Sequence, residues 1–190
     1  MKRSKRDIIL DAAVTVFSAK GYHNTRMEEI AVNAGIGKGT IYEYFDSKLQ
    51  LFQEILERSL GKYYESLDIN RQEPIGFAER MYILFQSHIK FCYENKELTR
   101  IVFWDMENFD EELKDWGYKI RKEKEERLIN IVTESIRQGE LRDVNPQLLT
   151  QMIMGSLGSL WVPITIEGWN INPGTLAQQL IDMLMNGIKA

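Results

Sequence analysis

Between Thr25 and Lys48 the chain reads TRMEEIAVNAGIGKGTIYEYFDSK, two short apolar stripes separated by glycines. Thr25 is placed to cap a helix N-terminus, and Glu28, three residues on, completes a predicted capping box. Met27, Ile30, Ala31 and Ala34 then recur at the spacing of one helix face. Gly35 ends that helix, and Gly37 is an acceptable first cap for the next. In the next segment Ile41 and Phe45 share an apolar side. Lys38, Gly39, Thr40, Tyr42 and Glu43 point elsewhere, with Tyr44 at the border. A helix this short is not stable alone in water. Its apolar side must be clamped by neighbours, which leaves its polar side for a partner. That is the arrangement of a helix-turn-helix whose second helix enters a DNA groove.

Charge supports this reading only through its distribution. The formal total is -4, which for a whole chain argues against nucleic acid. Residues 1–50, however, hold eight Lys/Arg against six Asp/Glu, a net of +2 that leaves -6 on the remainder. A mildly basic head on an acidic body suits a DNA reader with a separate sensing domain. The single cysteine, Cys92, excludes an intrachain disulfide framework and fits a reducing compartment, so a cytoplasmic location is expected. MKRSKR is followed by a segment with Asp11 and helical rather than continuous hydrophobicity, so export is not expected. The longest apolar run, Met152 to Ile166, falls short of the ~20 residues of a bilayer span and contains Pro163, so it reads as a buried helix.

The rest of the chain carries helix signals and no strand signals. A first helix runs from about Lys5 to Lys20, buries Ile8, Ile9, Ala12, Ala13, Val16 and Phe17, and ends at Gly21. Ser47 and Gln50 form a second capping box opening a longer helix, residues 47–66, that links head to body. Five more helices are expected: about 74–94, 98–108, 110–138, one from Asn145-Pro146 and one from Asn172-Pro173 to near Gly187. In the last two, Asn caps and Pro takes the first helical position. The chain is thus all-α, about nine helices, with a helix-turn-helix head in residues 1–50 and a larger body in 51–190.

The run GIGKGTIYEYF followed by DSK resembles the N-terminal DNA-binding signature of the TetR family of bacterial transcriptional regulators. The resemblance in motif covers residues 7 to 60. It implies DNA contacts from Thr25, at the opening of the second helix, with Arg26 beside it. It also implies contacts from Lys38, Gly39, Thr40, Tyr42 and Tyr44 on the recognition helix, and from Lys48 at the start of the fourth; the outward-facing Glu43 joins them as a further candidate. Thr25, Tyr42 and Lys48 are expected on phosphates, and Lys38, Thr40, Glu43 and Tyr44 at base edges. Lys2, Arg3, Lys5 and Arg6 are either further phosphate or minor-groove contacts or a frayed solvated terminus. One departure from the family is Gly37, where a Ser or Thr is common, so no hydroxyl contact is expected there.

Two body features extend the expectation. Phe85, Phe91, Phe103, Trp104, Phe109, Trp116 and Trp161, with Met106 and His88, form an aromatic set that reads either as core or as a ligand lining. The resemblance favours a pocket for a hydrophobic effector, a fatty acyl compound or a planar drug-like molecule, with Phe85, His88, Phe103, Trp104, Trp116 and Trp161 as its lining. The second feature is QMIMGSLGSLWVP. Its small residues permit close helix approach, although each glycine costs a soluble helix ~1 kcal/mol. The resemblance implies a homodimer through the last two helices, with Met152, Gly155, Ser156, Ser159, Leu176, Leu180 and Leu184 as its expected face, intrachain packing being the alternative.

Catalytic and metal chemistry is poorly supplied. Two histidines and one cysteine offer little for a nucleophile–base pair or a zinc site, and neither HExxH nor a GxxxxGK[ST] loop occurs. No enzymatic activity, cofactor or metal is expected. The expected function is a ligand-responsive transcriptional regulator, a repressor on a palindromic duplex released by a small molecule. The alternatives are an activator of the same fold, or a helical small-molecule-binding protein that never meets DNA.

Overall fold

The computed structural model describes residues 3–67, 75–104 and 111–188, without side chains for 59–67, 101–104 and 113. Among the described residues every regular element is a helix, as the lack of alternating β-branched runs predicts. There are ten: α1 (Lys5–Asn24), α2 (Met27–Asn33), α3 (Lys38–Tyr44), α4 (Lys48–Leu67), α5 (Phe77–Glu94), α6 (Lys96–Trp104), α7 (Glu111–Arg137), α8 (Pro146–Ser159), α9 (Trp161–Thr165) and α10 (Pro173–Asn186). One more helix than expected arises because the segment opened by Asn145 turns at Leu160 and restarts. Pro163 falls in the first turn of the short α9, where a missing N–H is harmless.

The chain divides into two compact units, Met1–Lys62 with Asn95–Lys114, and Tyr63–Glu94 with Asp115–Ala190. The first unit thus takes in the first four turns of α4 and the α6 segment, beyond the 1–50 head expected from sequence. Its core is Ile9, Ala13, Phe17, Ile30, Ile41, Phe45, Leu51 and Phe52, all fully buried. Phe52 packs edge-on to Phe17 at 5.3 Å and against Tyr22 at 4.9 Å between ring centroids. These rings lock α4 onto the end of α1. Helix α1 is capped by Ser4, whose hydroxyl accepts from the Asp7 N–H at 3.1 Å. It breaks where predicted, at Gly21, whose φ of 78° is the left-handed conformation that favours glycine.

In the second unit α10 lies along α5 through Leu176, Ala177 and Ile181. Gly174 permits that approach: a Cβ there would sit 3.0 Å from the Tyr82 hydroxyl and 3.2 Å from Gln86 Nε2. Both Asn-Pro starts form as expected. The Asn145 side chain accepts from Leu148 N–H at 2.9 Å, and that of Asn172 from Gly174 N–H at 2.9 Å and Thr175 N–H at 3.2 Å. The Phe77 N–H at the start of α5 donates to the Glu140 carboxylate from the turn after α7.

The apolar run behaves differently from the expectation of a short buried helix. Pro146–Thr165 is 20 residues, long and apolar enough to cross a membrane by length and composition, yet only 28% of its most apolar window is buried in the single chain. Thr150 and Ile153 face inward, while Leu148 and Met152 are 62% and 58% exposed. Sequence hydropathy marks a segment that avoids water without saying which surface covers it.

Candidate nucleic-acid interface

The helix-turn-helix is built by α2 and α3 around a glycine turn. Gly35 has φ 67°, so a side chain there would be strained, and the Ile36 N–H returns to the Ala31 carbonyl at 2.9 Å. Ile41 and Phe45 are 0% exposed and hold the underside of α3. Above them Lys38, Gly39, Tyr42 and Glu43 are exposed, with Thr40 and Tyr44 half-buried. Tyr42 keeps 42% of its surface open despite its size. A Cβ on Gly39 would meet nothing within 4 Å. No packing among the described residues calls for a glycine at this position.

Lys38 is not loose on this face. Its Nζ lies 2.7 Å from Glu28 Oε1 on α2, an exposed pair. The bond to Glu28 holds the ammonium above its ordinary range, and Lys38 in turn holds the Glu28 carboxyl below the usual carboxylate range. An anion arriving at α3 therefore exchanges with Glu28. No periodicity in the sequence links these two positions, because the turn between them sets their meeting.

Thr25, Lys48 and Arg6 have partners inside the protein. Thr25 is not an N-cap: it follows α1, is 2% exposed, and its hydroxyl donates inward to the Gly21 carbonyl at 2.8 Å. The α2 cap is the exposed Arg26, whose N–H donates to Glu29 Oε2 at 3.2 Å, so the capping carboxylate is Glu29 rather than Glu28. Lys48 is turned inward as well. Its ammonium donates to the carbonyls of Tyr22 at 2.8 Å, His23 at 3.2 Å and Thr25 at 3.1 Å, and lies 4.4 Å from the Tyr22 ring centroid. Arg6 folds back onto Glu54 instead of extending from the terminus. The Ser47–Gln50 box forms with a shift, as Gln50 Oε1 accepts from Asp46 N–H at 2.6 Å while its own N–H reaches Ser47 Oγ at 3.0 Å.

In the second unit Phe85 and His88 are buried on α5, and Trp116 and Trp161 are half-buried on α7 and α9. The side chains of Phe103 and Trp104, and all of Met106 and Phe109, lie outside the described residues. His88 Nε2 is 3.6 Å from Cys92 Sγ, and burial pushes its imidazole down to about 4, so it is neutral. Of the expected dimer face, Met152, Gly155 and Ser159 are exposed and Ser156, Leu180 and Leu184 half-buried. Leu176 is only 7% exposed, on a helix that packs against α5. It is buried within the chain together with Ala177.

Two family models match this chain: bacterial regulatory proteins, tetR family, over residues 9–55, and tetracyclin repressor-like, C-terminal domain, over residues 75–188. The chain belongs to the TetR family. Among relatives of this TetR-family protein, the fatty acid metabolism regulator of Bacillus subtilis (strain 168) is 27% identical, over 98% of this chain and 97% of its own length. The transcriptional repressor KstR2 of Mycolicibacterium smegmatis is 26% identical, over 97% and 91%. The crystal structure of FadR from Bacillus subtilis in complex with stearoyl-CoA superposes with a TM-score of 0.83 at 25% identity, covering 96% of this chain and 99% of that one. As a TetR-family member the chain is a transcriptional regulator, and the relatives are regulators rather than enzymes. The first model ends inside α4, and the second spans α5 to α10.

Proposed function

We propose that this TetR-family protein is a cytoplasmic, non-enzymatic repressor. It binds a near-palindromic operator as a homodimer and leaves it when a long-chain acyl-CoA binds its body. The observation that carries the DNA half is the open face of α3, with Lys38, Gly39, Tyr42 and Glu43 outward over buried Ile41 and Phe45. Lys38, Thr40, Glu43 and Tyr44 read bases, and Tyr42 and Arg26 hold phosphates. Thr25 and Lys48 shape the turn that presents them.

The dimer half rests on α8. Leu148, Met152, Gly155 and Ser159 recur at i, i+4, i+7 and i+11 and are all exposed. Cβ atoms on Gly155 or Gly158 would meet nothing within 4 Å among the described residues, so no packing among these accounts for two helix-weakening residues. A second copy packed closely on this stripe does, and it makes an oily 20-residue stretch an interface rather than a membrane span. The acyl-CoA half is supported by the fatty acid metabolism relative and by the stearoyl-CoA seen in the FadR structure. Phe85, Trp116 and Trp161 supply apolar surface of the kind an acyl chain takes.

The test is fluorescence anisotropy of a labelled duplex carrying the palindrome upstream of the gene, titrated with stearoyl-CoA, free stearate and CoA. Stearoyl-CoA is expected to weaken operator binding about 5–150-fold, a coupling of roughly 1–3 kcal/mol. No release by stearoyl-CoA sinks the effector, and no salt-dependent binding to any duplex sinks the repressor.

A further inference from the structure

The C-terminal end of the recognition helix is restrained by a group from outside the helix-turn-helix. Helix α3 has seven residues, and its last carbonyls have no partner within it. The Tyr44 carbonyl accepts from Arg6 Nη1 at 3.1 Å, and the Arg6 guanidinium lies 4.5 Å from the centroid of the buried Phe45 ring. The same guanidinium forks onto Glu54 of α4, with Nε 2.9 Å from Oε1 and Nη2 on Oε2. Arg58, one turn further along α4, places Nη2 2.9 Å from Glu54 Oε1 and Nη1 2.6 Å from Asp7 Oδ1.

The two ends of α3 are held unequally. At its start Gly37 offers no side-chain cap, and Lys38 has an exposed ion pair, weak in water. At its end a planar guanidinium meets three acceptors and a ring at once, which an ammonium cannot do. The pair is half-buried, at 38% and 19% side-chain exposure, and the bond from Arg6 holds the Glu54 carboxyl below the usual carboxylate range. Ile41 and Phe45 fix the depth of α3, and Arg6 limits its tilt.

We infer that Arg6, gripped by Glu54, is a positioning residue for operator binding: it registers the end of the recognition helix on α4 and touches no DNA. This rests on the repressor reading above. An alternative role for Arg6, a direct phosphate contact, makes opposite predictions.

Glu54→Gln decides between them. It removes a negative charge from the head, so electrostatics alone would tighten DNA binding. Positioning predicts instead an operator affinity about tenfold weaker, the scale of one charged hydrogen bond, at an unchanged log–log salt slope. Arg6→Lys, which keeps the charge and loses the fork, is expected to weaken binding equally. Hydrogen exchange on the intact protein provides a readout without DNA. The amide of Phe45, bonded to the Ile41 carbonyl at 3.0 Å, is expected to lose protection in Glu54→Gln while the α1 core amides keep theirs. Equal or tighter operator binding by Glu54→Gln overturns the inference, as does an Arg6→Ala slope reduced by about one unit. If the wild type binds no duplex the repressor reading fails, and unchanged Phe45 protection in Glu54→Gln then overturns the restraint on its own.

Discussion

Replacing Lys48 by Met removes an ammonium that donates to three carbonyls at the end of α1 and lies over the Tyr22 ring. A hydrogen bond to a charged group contributes ~1.5–3 kcal/mol net. The three bonds share one ammonium and do not add. The His23 carbonyl belongs to an exposed residue that water reaches, whereas Tyr22 and Thr25 are buried. A loss of about 2–3 kcal/mol follows, with the cation–π contact included at the low end of its range, ~0.5 kcal/mol. For a chain of this size that lowers the melting temperature by roughly 5–10 °C, at ~2–4 °C per kcal/mol. Scanning calorimetry gives the first quantity, and operator anisotropy over a salt series gives the second. The expected result is a lowered melt and an operator salt slope equal to wild type, with affinity reduced only through the loosened 22–26 turn. A phosphate-binding Lys48 gives the reverse, an unchanged melt and a slope smaller by about one unit. That outcome would refute the structural reading of this lysine.

Tyr42→Ala is expected to abolish operator binding while the melt stays within about 2 °C of wild type, since exposed sites rarely move stability by more than ~0.5 kcal/mol; a collapsed melt would place Tyr42 in the core. Met152→Glu puts a charge on the exposed α8 stripe, and light scattering should then report one chain where the wild type gives two; a wild-type monomer would remove the dimer face. His88 gives a pH dependence. Its folded value is pushed down to about 4 by burial, against ~6.5 for a free imidazole. Between those values the unfolded chain binds a proton that the folded one does not, so stability falls as pH drops from ~6.5 toward ~4 and levels below, by on the order of 3 kcal/mol. Urea melts across that range should show this slope in the wild type and lose it in His88→Gln; a slope that survives the substitution assigns it to other groups.

Much of the local structure was legible because it is decided by near neighbours in sequence. Asn-Pro starts, a glycine break at 21 and the spacing of Ile30, Ile41 and Phe45 depend on the backbone and the helical period alone. They appear where those rules put them. The polar side chains were less legible. Thr25 and Lys48 are residue types that suit a phosphate, and nothing in their spacing tells that the end of α1 brings three carbonyls to the lysine. Leu176 and Met152 are both apolar, yet one is buried within the chain and the other is open. A helix stripe says that a surface must be covered, while the covering element belongs to the packing.

Length, helix period and cap chemistry determined an all-α chain with a short polar-faced helix held over an oily underside, because each of these acts within a few residues along the backbone. Only the packed structure decided which cations are available to a partner. Lys38 is shared with Glu28 at the surface, and Lys48 and Arg6 are committed to carbonyls and a carboxylate of other helices. An ammonium or guanidinium goes to whichever acceptors the fold brings within about 3 Å, and those acceptors lie up to 48 positions away in the sequence.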